Sequence, residues 1–245
     1  MGRVYRCNLH IHTCLSPCGS LDMHPASIVS ACRDAGLDMI AVTDHNASEN
    51  VRYVQEAARK TGLVVIPGME LCTREEVHIL ALFERLDQLE ALQDIVYEHL
   101  SGVNDERVFG VQAVVNEHGE VEGFNEHLLI AATELSLEDA VRHIHGLDGL
   151  AVPSHIDRTA FGVIGQLGFV PNDVPFDALE VSCRMGVKQA RREYPELAGY
   201  TMITSSDAHE LVDIGRACTR FFIDSPTFPE IRLAFKKSLG RYCLE

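Results

Sequence analysis

Six short apolar runs in this sequence each carry, or lead into, a side chain with metal-ligand chemistry. Val4 to Leu9 leads into His10-Ile11-His12-Thr13, and Asp38-Met39-Ile40-Ala41-Val42-Thr43 into Asp44-His45. Leu63 to Met69 is followed by Glu70, and Val77 to Leu82 contains His78. Leu150 to Ser154 is followed by His155, and Tyr200 to Thr204 leads through Ser205-Ser206 to Asp207-Ala208-His209. Side chains two apart on a strand share a face, so His10 and His12 can offer two imidazoles to one ion. One such pattern means little. Six of them predict strands whose ends converge on a single polynuclear site.

The segments between the runs read as helices. One is expected over 25–35 with Gly36 as its stop, others over 48–61 and 86–100, the last with Leu89, Leu92, Val96 and Leu100 as its apolar stripe. Further helices are expected over 136–145, with Ser136 as N-cap, and over 187–194 and 228–239, and a further strand over 217–223. Val111–Val115 and Glu120–Phe124 flank a short polar turn and read as a hairpin, so 104–133 is taken as an insertion in one domain spanning 1–245. Alternating strands and helices predict parallel pairing. Ligands at nearly every strand end favour a TIM-like barrel over an open sheet, and 245 residues is close to the ~250 typical of such barrels.

Composition narrows the function classes. No run is apolar over the ~20 residues that a membrane helix needs, and the first residues lack the apolar core of a signal peptide, so a cytoplasmic protein with no membrane partner is expected. Eight cysteines without a secretion signal read as reduced thiols. The formal net charge of −15 argues against an extended nucleic-acid surface but leaves a small anionic substrate open, since metal ions can reverse the local field inside an acidic protein.

Each candidate has a plainer alternative. Asp44 can cap a helix, Glu70 can be a solvated loop carboxylate, and His78 alone would be a core histidine; the other strands are what make them ligand candidates. His155 is a ligand candidate, whereas Arg158 can simply pair with a carboxylate. Cys18 is either a small buried side chain or a thiolate ligand. His143-Ile144-His145 has the spacing of the first pair but falls on a helix, where residues two apart do not face each other, and reads as structural. His24, His99, His118 and His127 lie away from strand ends and receive no role. Arg184 and Lys188 read as a solvated face rather than an anion site.

Taken in order, His10-Ile11-His12-Thr13, Thr43-Asp44-His45, Gly68-Met69-Glu70, Val77-His78-Ile79, His155 and Ser206-Asp207-Ala208-His209 resemble the motifs of the polymerase and histidinol phosphatase (PHP) superfamily. The resemblance spans nearly the whole chain. It implies a distorted (β/α)7 barrel with two or three divalent ions and a metal-dependent phosphoesterase activity. It also implies His10, His12, His45, Glu70, His78, His155, Asp207 and His209 as ligands, with Glu70 bridging and Asp44 behind them. Many relatives place an Asp or a His where this chain has Cys18. A sulfur ligand would favour zinc, and a nitrogen and oxygen shell also suits manganese or iron. In the implied chemistry a metal-activated hydroxide attacks phosphorus in a small phosphorylated substrate, Arg158 clamps a phosphoryl oxygen, and His209 or Asp44 moves protons. The alternatives are a barrel hydrolase that cuts a C–N bond with the same metals, and a non-catalytic metal-binding regulatory module.

Overall fold

The protein is described here by a computed structural model covering residues 2–244. Within them the chain runs β1 Arg3–Ile11, α1 Pro25–Asp34, β2 Met39–Val42, α2 Val51–Ala58, β3 Val64–Cys72, β4 His78–Leu82 and α3 Leu86–Glu98. A short helix α4 Glu106–Phe109 and the hairpin β5 Ala113–Val115 and β6 Val121–Phe124 follow. Then come α5 Leu137–Gly146, β7 Leu150–Pro153, α6 Val163–Leu167, β8 Leu179–Val181, α7 Val187–Glu193, β9 Met202–Thr204, β10 Thr219–Ile223, α8 Phe228–Phe235 and β11 Tyr242–Leu244. The expected strands, hairpin and main helices all form, most with trimmed ends and β1 and β3 extended; α4, α6 and β11 were not foreseen. Ser136 caps α5 as its sequence suggested, its hydroxyl accepting from the Asp139 N–H. Among the described residues no helix is long and apolar enough to cross a membrane.

The fold is α/β, built on a curled seven-stranded sheet in the order β11-β10-β1-β2-β3-β4-β7. A parallel pair, β8 and β9, lies beside it. The Asp177 N–H donates to Ala151 O and the Ile156 N–H to Glu180 O, so β8 sits alongside β7, and a parallel bridge from Ala208 to Ile11 brings the segment after β9 back to β1.

Parallel pairing does not hold throughout. β1, β2 and β3 are parallel, but β4 is antiparallel to both β3 and β7. The reason is the connection: β3 and β4 are joined by a tight turn, closed by Thr73 N–H to Val77 O, with no crossover helix. Because β4 runs backwards, its first residue, His78, stands at the rim where the other strands end. β3 is also longer than expected. It runs through Pro67-Gly68, pairing with β2 over its first half and with β4 over its second, so Glu70 lies inside a strand and not in a loop. Gly68 makes the change of partner possible, since a Cβ there would stand 2.8 Å from Thr43 Cγ2.

Alternation sorts the side chains into two apolar layers. Ile40, Val42, Met69, Leu71, Ile79 and Ala81 face outward onto α1, α2, α3 and α5, while Cys7, Leu9, Met39, Ala41, Leu80, Leu82, Leu150, Val152 and Ile203 face inward. Phe228, Ile231 and Phe235 of α8 close this inner layer from below. On β1 the inward set changes parity. Cys7 and Leu9 face in, yet Ile11 faces out, and the register shifts between Asn8 and Ile11. A bulge of this kind re-aims the side chains that follow it. Here it turns His10 and His12 together into the interior, directly above the apolar layer.

Candidate metal centre

The Glu70 carboxylate lies at the middle of the upper interior and is 1% exposed. Its Oε1 is 3.2 Å from His10 Nε2, 3.1 Å from His78 Nδ1 and 3.3 Å from His155 Nε2. Its Oε2 is 3.4 Å from His12 Nε2 and 3.1 Å from His45 Nδ1. Asp207 Oδ1 completes the group, 3.1 Å from His10 Nε2 and 3.2 Å from His12 Nε2. The His209 ring stacks on that of His12 with centroids 4.1 Å apart. Three triads have their donor atoms within 4.8 Å of one another: His12-His45-His209, His10-His12-Glu70 and His45-Glu70-His78. The structure thus gathers eight sequence candidates from six separate segments.

Two of the imidazoles are oriented by partners behind them. His10 Nδ1 donates to Glu180 Oε2 at 2.8 Å. His12 Nδ1 is 3.0 Å from Ser16 Oγ, which itself donates to Asp44 Oδ1 at 2.6 Å. Each ring then presents Nε2 to the centre. Asp44 is fully buried and also accepts from the Thr13 N–H and hydroxyl, so it holds the loop after β1 in place. His78 is stacked by Phe161, with centroids 4.4 Å apart. His155 and Asp207 have φ of +30° and +52°, a left-handed backbone that side-chain-bearing residues rarely adopt. Strain of this kind collects at functional sites. Glu180, Ser16 and Phe161 were not singled out from the sequence. The available signal for Glu180 was an acidic residue between Leu179 and Val181 in an apolar run.

The charges oppose one another strongly. Burial lowers His10, yet Glu70, Asp207 and Glu180 outweigh it and hold its pKa well above the ordinary imidazole value. Burial also opposes charging of His12, but hydrogen bonds to Asp207 and Glu70 carry it to about 9. Burial pushes His78 down to about 4 and, with His12 nearby, His209 to about 3. Glu70 stays well below the carboxylate range despite burial, because His78 and His10 face it.

This donor set fits divalent cations. Glu70 Oε1, His78 Nδ1 and Asp207 Oδ1 are buried without a hydrogen-bond partner, although other polar atoms lie just over 3 Å away. They point at shared space and not along one another's hydrogen-bond axes. Two atoms each ~2.1 Å from one tetrahedral ion stand about 3.4 Å apart, close to these spacings.

Of the remaining candidates, Cys18 is exposed and lies beside His45, outside the three triads. Arg158 lies 2.6 Å from Asp207 Oδ2, so its carboxylate partner belongs to the cluster and is not Asp157. His143 and His145 lie on α5, where His145 Nε2 meets Asp177 at 2.8 Å, a structural role as expected.

A curled α/β sheet with this buried cluster at one rim belongs to the class of metal-dependent hydrolases. The sequence model of the PHP domain matches residues 8–161, and that of the PHP-associated region matches 189–238; the chain belongs to the PHP family. No curated protein matches the chain in sequence. Among solved structures, it is similar to a lesion-specific endonuclease, endonuclease Q of Pyrococcus furiosus, at TM-score 0.76 and 21% identity, with 98% of this chain and 58% of that chain covered. An endonuclease Q complex with a 27-mer duplex, carrying an abasic lesion at the active site, matches at TM-score 0.73 and 20% identity with the same coverage. A Bifidobacterium adolescentis protein, described as a metal-dependent phosphoesterase, matches at TM-score 0.57 and 16% identity, covering 83% of this chain and 87% of that one. The chain thus spans 58% of the length of the endonuclease Q chains.

These neighbours overturn one expectation. Net charge argued against a nucleic-acid surface, but endonuclease Q, part of which has this fold, takes a DNA duplex with an abasic lesion at its active site. A whole-chain sum does not describe the field in one cleft, which a few arginines and bound cations set.

Proposed function

We propose that the chain is a phosphoesterase that hydrolyses a phosphate ester at a polynuclear divalent-metal centre held by His10, His12, His45, Glu70, His78, His155, Asp207 and His209. The carrying observation is that both oxygens of Glu70 are shared among five imidazoles, an arrangement that suits a carboxylate bridging two ions. Cys18, beside His45, supplies a further ligand on the exposed side. We read the strand ring β1-β2-β3-β4-β7-β8-β9 as a distorted (β/α)7 barrel, and the whole as one domain with 104–133 inserted.

With divalent ions held by these residues, the centre would supply an activated water near neutral pH and would neutralise charge on the phosphoryl oxygens. The protein's own groups do the rest. Arg158 keeps donors free beyond its contact with Asp207, and its planar fork matches two non-bridging oxygens. His209 is the most accessible of the cluster histidines, and its Nδ1 is tied to the Asp207 carbonyl at 3.0 Å, which leaves Nε2 as the atom it would offer to an ion. Asp44 acts through Ser16 and Thr13 and is a positioning residue. The leaving group can be a metabolite, a nucleotide or a strand of nucleic acid.

The test is hydrolysis of p-nitrophenyl phosphate and bis(p-nitrophenyl) phosphate by protein loaded with zinc, manganese or iron. Turnover of either ester, abolished by chelation, is expected, and Arg158→Ala should weaken it at least tenfold while metal content is kept. No turnover of phosphate esters, with cleavage of an amide, would replace this reading with C–N hydrolysis.

A further inference from the structure

A cleft of about 570 Å³ lies beside the cluster, lined by Asp157, Arg158, Thr159, Ser182, Arg184 and Gln189 among others. Arg158 belongs to both places, since its guanidinium also contacts Asp207. The opposite wall is the turn after β8, which carries Arg184. That turn is pinned to the segment bearing Arg158: Asp157 Oδ1 accepts the Ser182 N–H at 2.7 Å, and Asp157 Oδ2 accepts the Ser182 hydroxyl. Ser182 in turn holds the far end of the turn, its carbonyl accepting the Gly186 N–H at 2.9 Å. The two arginine-bearing segments are therefore held at a set spacing by a half-buried polar clamp.

Two guanidiniums and one carboxylate line this cleft, and that carboxylate is turned away from Arg184. The Asp157 oxygens are both engaged by Ser182, and Gln189 is turned to Glu193 at 2.6 Å. Arg184 is exposed and has no hydrogen bond or ion pair among the described residues. The chain has 36 acidic residues to 21 Lys and Arg, so carboxylate partners are abundant, yet this guanidinium faces a cleft and not a carboxylate. Read from sequence it was a solvated face; in the fold it is a free cation on the wall of the candidate site.

We propose that this cleft is a second phosphate site, in which Arg184, with Arg158 at the inner edge, takes a non-scissile phosphate of the substrate next to the ester that is cut. The substrate then carries at least two phosphates, as a nucleic-acid strand or a bisphosphorylated metabolite does. A guanidinium meets a phosphate with two parallel N–H donors, which gives such a site orientation as well as charge. The proposal rests on the phosphoesterase reading, and a binding measurement keeps the two separable.

The probes are thymidine dinucleotides with a hydrolysis-resistant phosphorothioate link, bearing a 5′-phosphate, a 3′-phosphate or neither, titrated into metal-loaded protein. A parallel pair, 1,3-propanediol bisphosphate and 3-hydroxypropyl phosphate, distinguishes a free bisphosphate from a strand. A terminal phosphate at one end should tighten binding at least tenfold. Arg184→Ala should bring the probes of a pair within about twofold of each other, and Arg184→Glu should reverse the preference. Discrimination in the dinucleotides alone assigns the site to a strand, and discrimination in both pairs assigns it to bisphosphates in general. Equal affinities in the wild type, or a preference that survives in Arg184→Glu, would overturn the proposal. Absence of turnover on aryl phosphates would count against the phosphoesterase reading and leave this result standing.

Discussion

Glu180 shows how a single side chain can be decisive and yet hard to read. It is 2% exposed, its Oε2 accepts a hydrogen bond from His10 Nδ1 at 2.8 Å, and the same oxygen accepts the His155 N–H at 3.2 Å. It therefore orients one imidazole and holds the strained turn that carries another. Partners behind metal ligands typically matter by ~10–100-fold in metal affinity. Glu180→Gln should lower zinc affinity by about that range in a chelator competition titration, with the fold intact by circular dichroism; unchanged affinity would remove Glu180 from this role. His10 and His12 were legible because their spacing alone places both on one strand face. Glu180 was not, because its partners lie 25 and 170 residues away, and a lone acid in a strand looks like a solvated one.

At the scale of elements, every strand bearing a candidate ligand was visible as an apolar run, but strand direction was not. Direction depends on the connector, and the five residues from Thr73 to Val77 make a turn too short for the crossover that parallel pairing needs. His78 still arrives at the ligand rim, since reversing a strand exchanges its ends. β3 makes the same point through Gly68, whose missing Cβ lets the strand pass Thr43. Gly68→Ala should cost ~1–3 kcal/mol through overpacking. Differential scanning calorimetry should show this as a lower Tm, by roughly 2–4 °C per kcal/mol for a chain of this size. A Tm equal to wild type would mean that β3 does not need this close approach.

In the whole molecule, the interior has two storeys: an apolar floor closed by α8, and the polar cluster above it. The floor is where the stability needed to gather buried carboxylates and imidazoles must come from. Phe221 is fully buried in it and packs against Phe235 with centroids 6.0 Å apart. Phe221→Ala should destabilise by ~3–5 kcal/mol in urea unfolding, while the protein that remains folded keeps its metal stoichiometry. Net charge was the poorest guide at this scale, because it averages over a surface while the cleft is defined by Arg158, Arg184 and the centre beside them. The central claim is that Glu70 and the side chains around it form a cage for cations. Anomalous diffraction from crystals grown with manganese tests it most directly. Two or three peaks are expected within bonding distance of Glu70, His10, His12, His45, His78, His155, Asp207 and His209, and at least one of them shared by both oxygens' neighbours. A well-ordered crystal with no peak in that cluster, and ions only on the surface, would contradict the account.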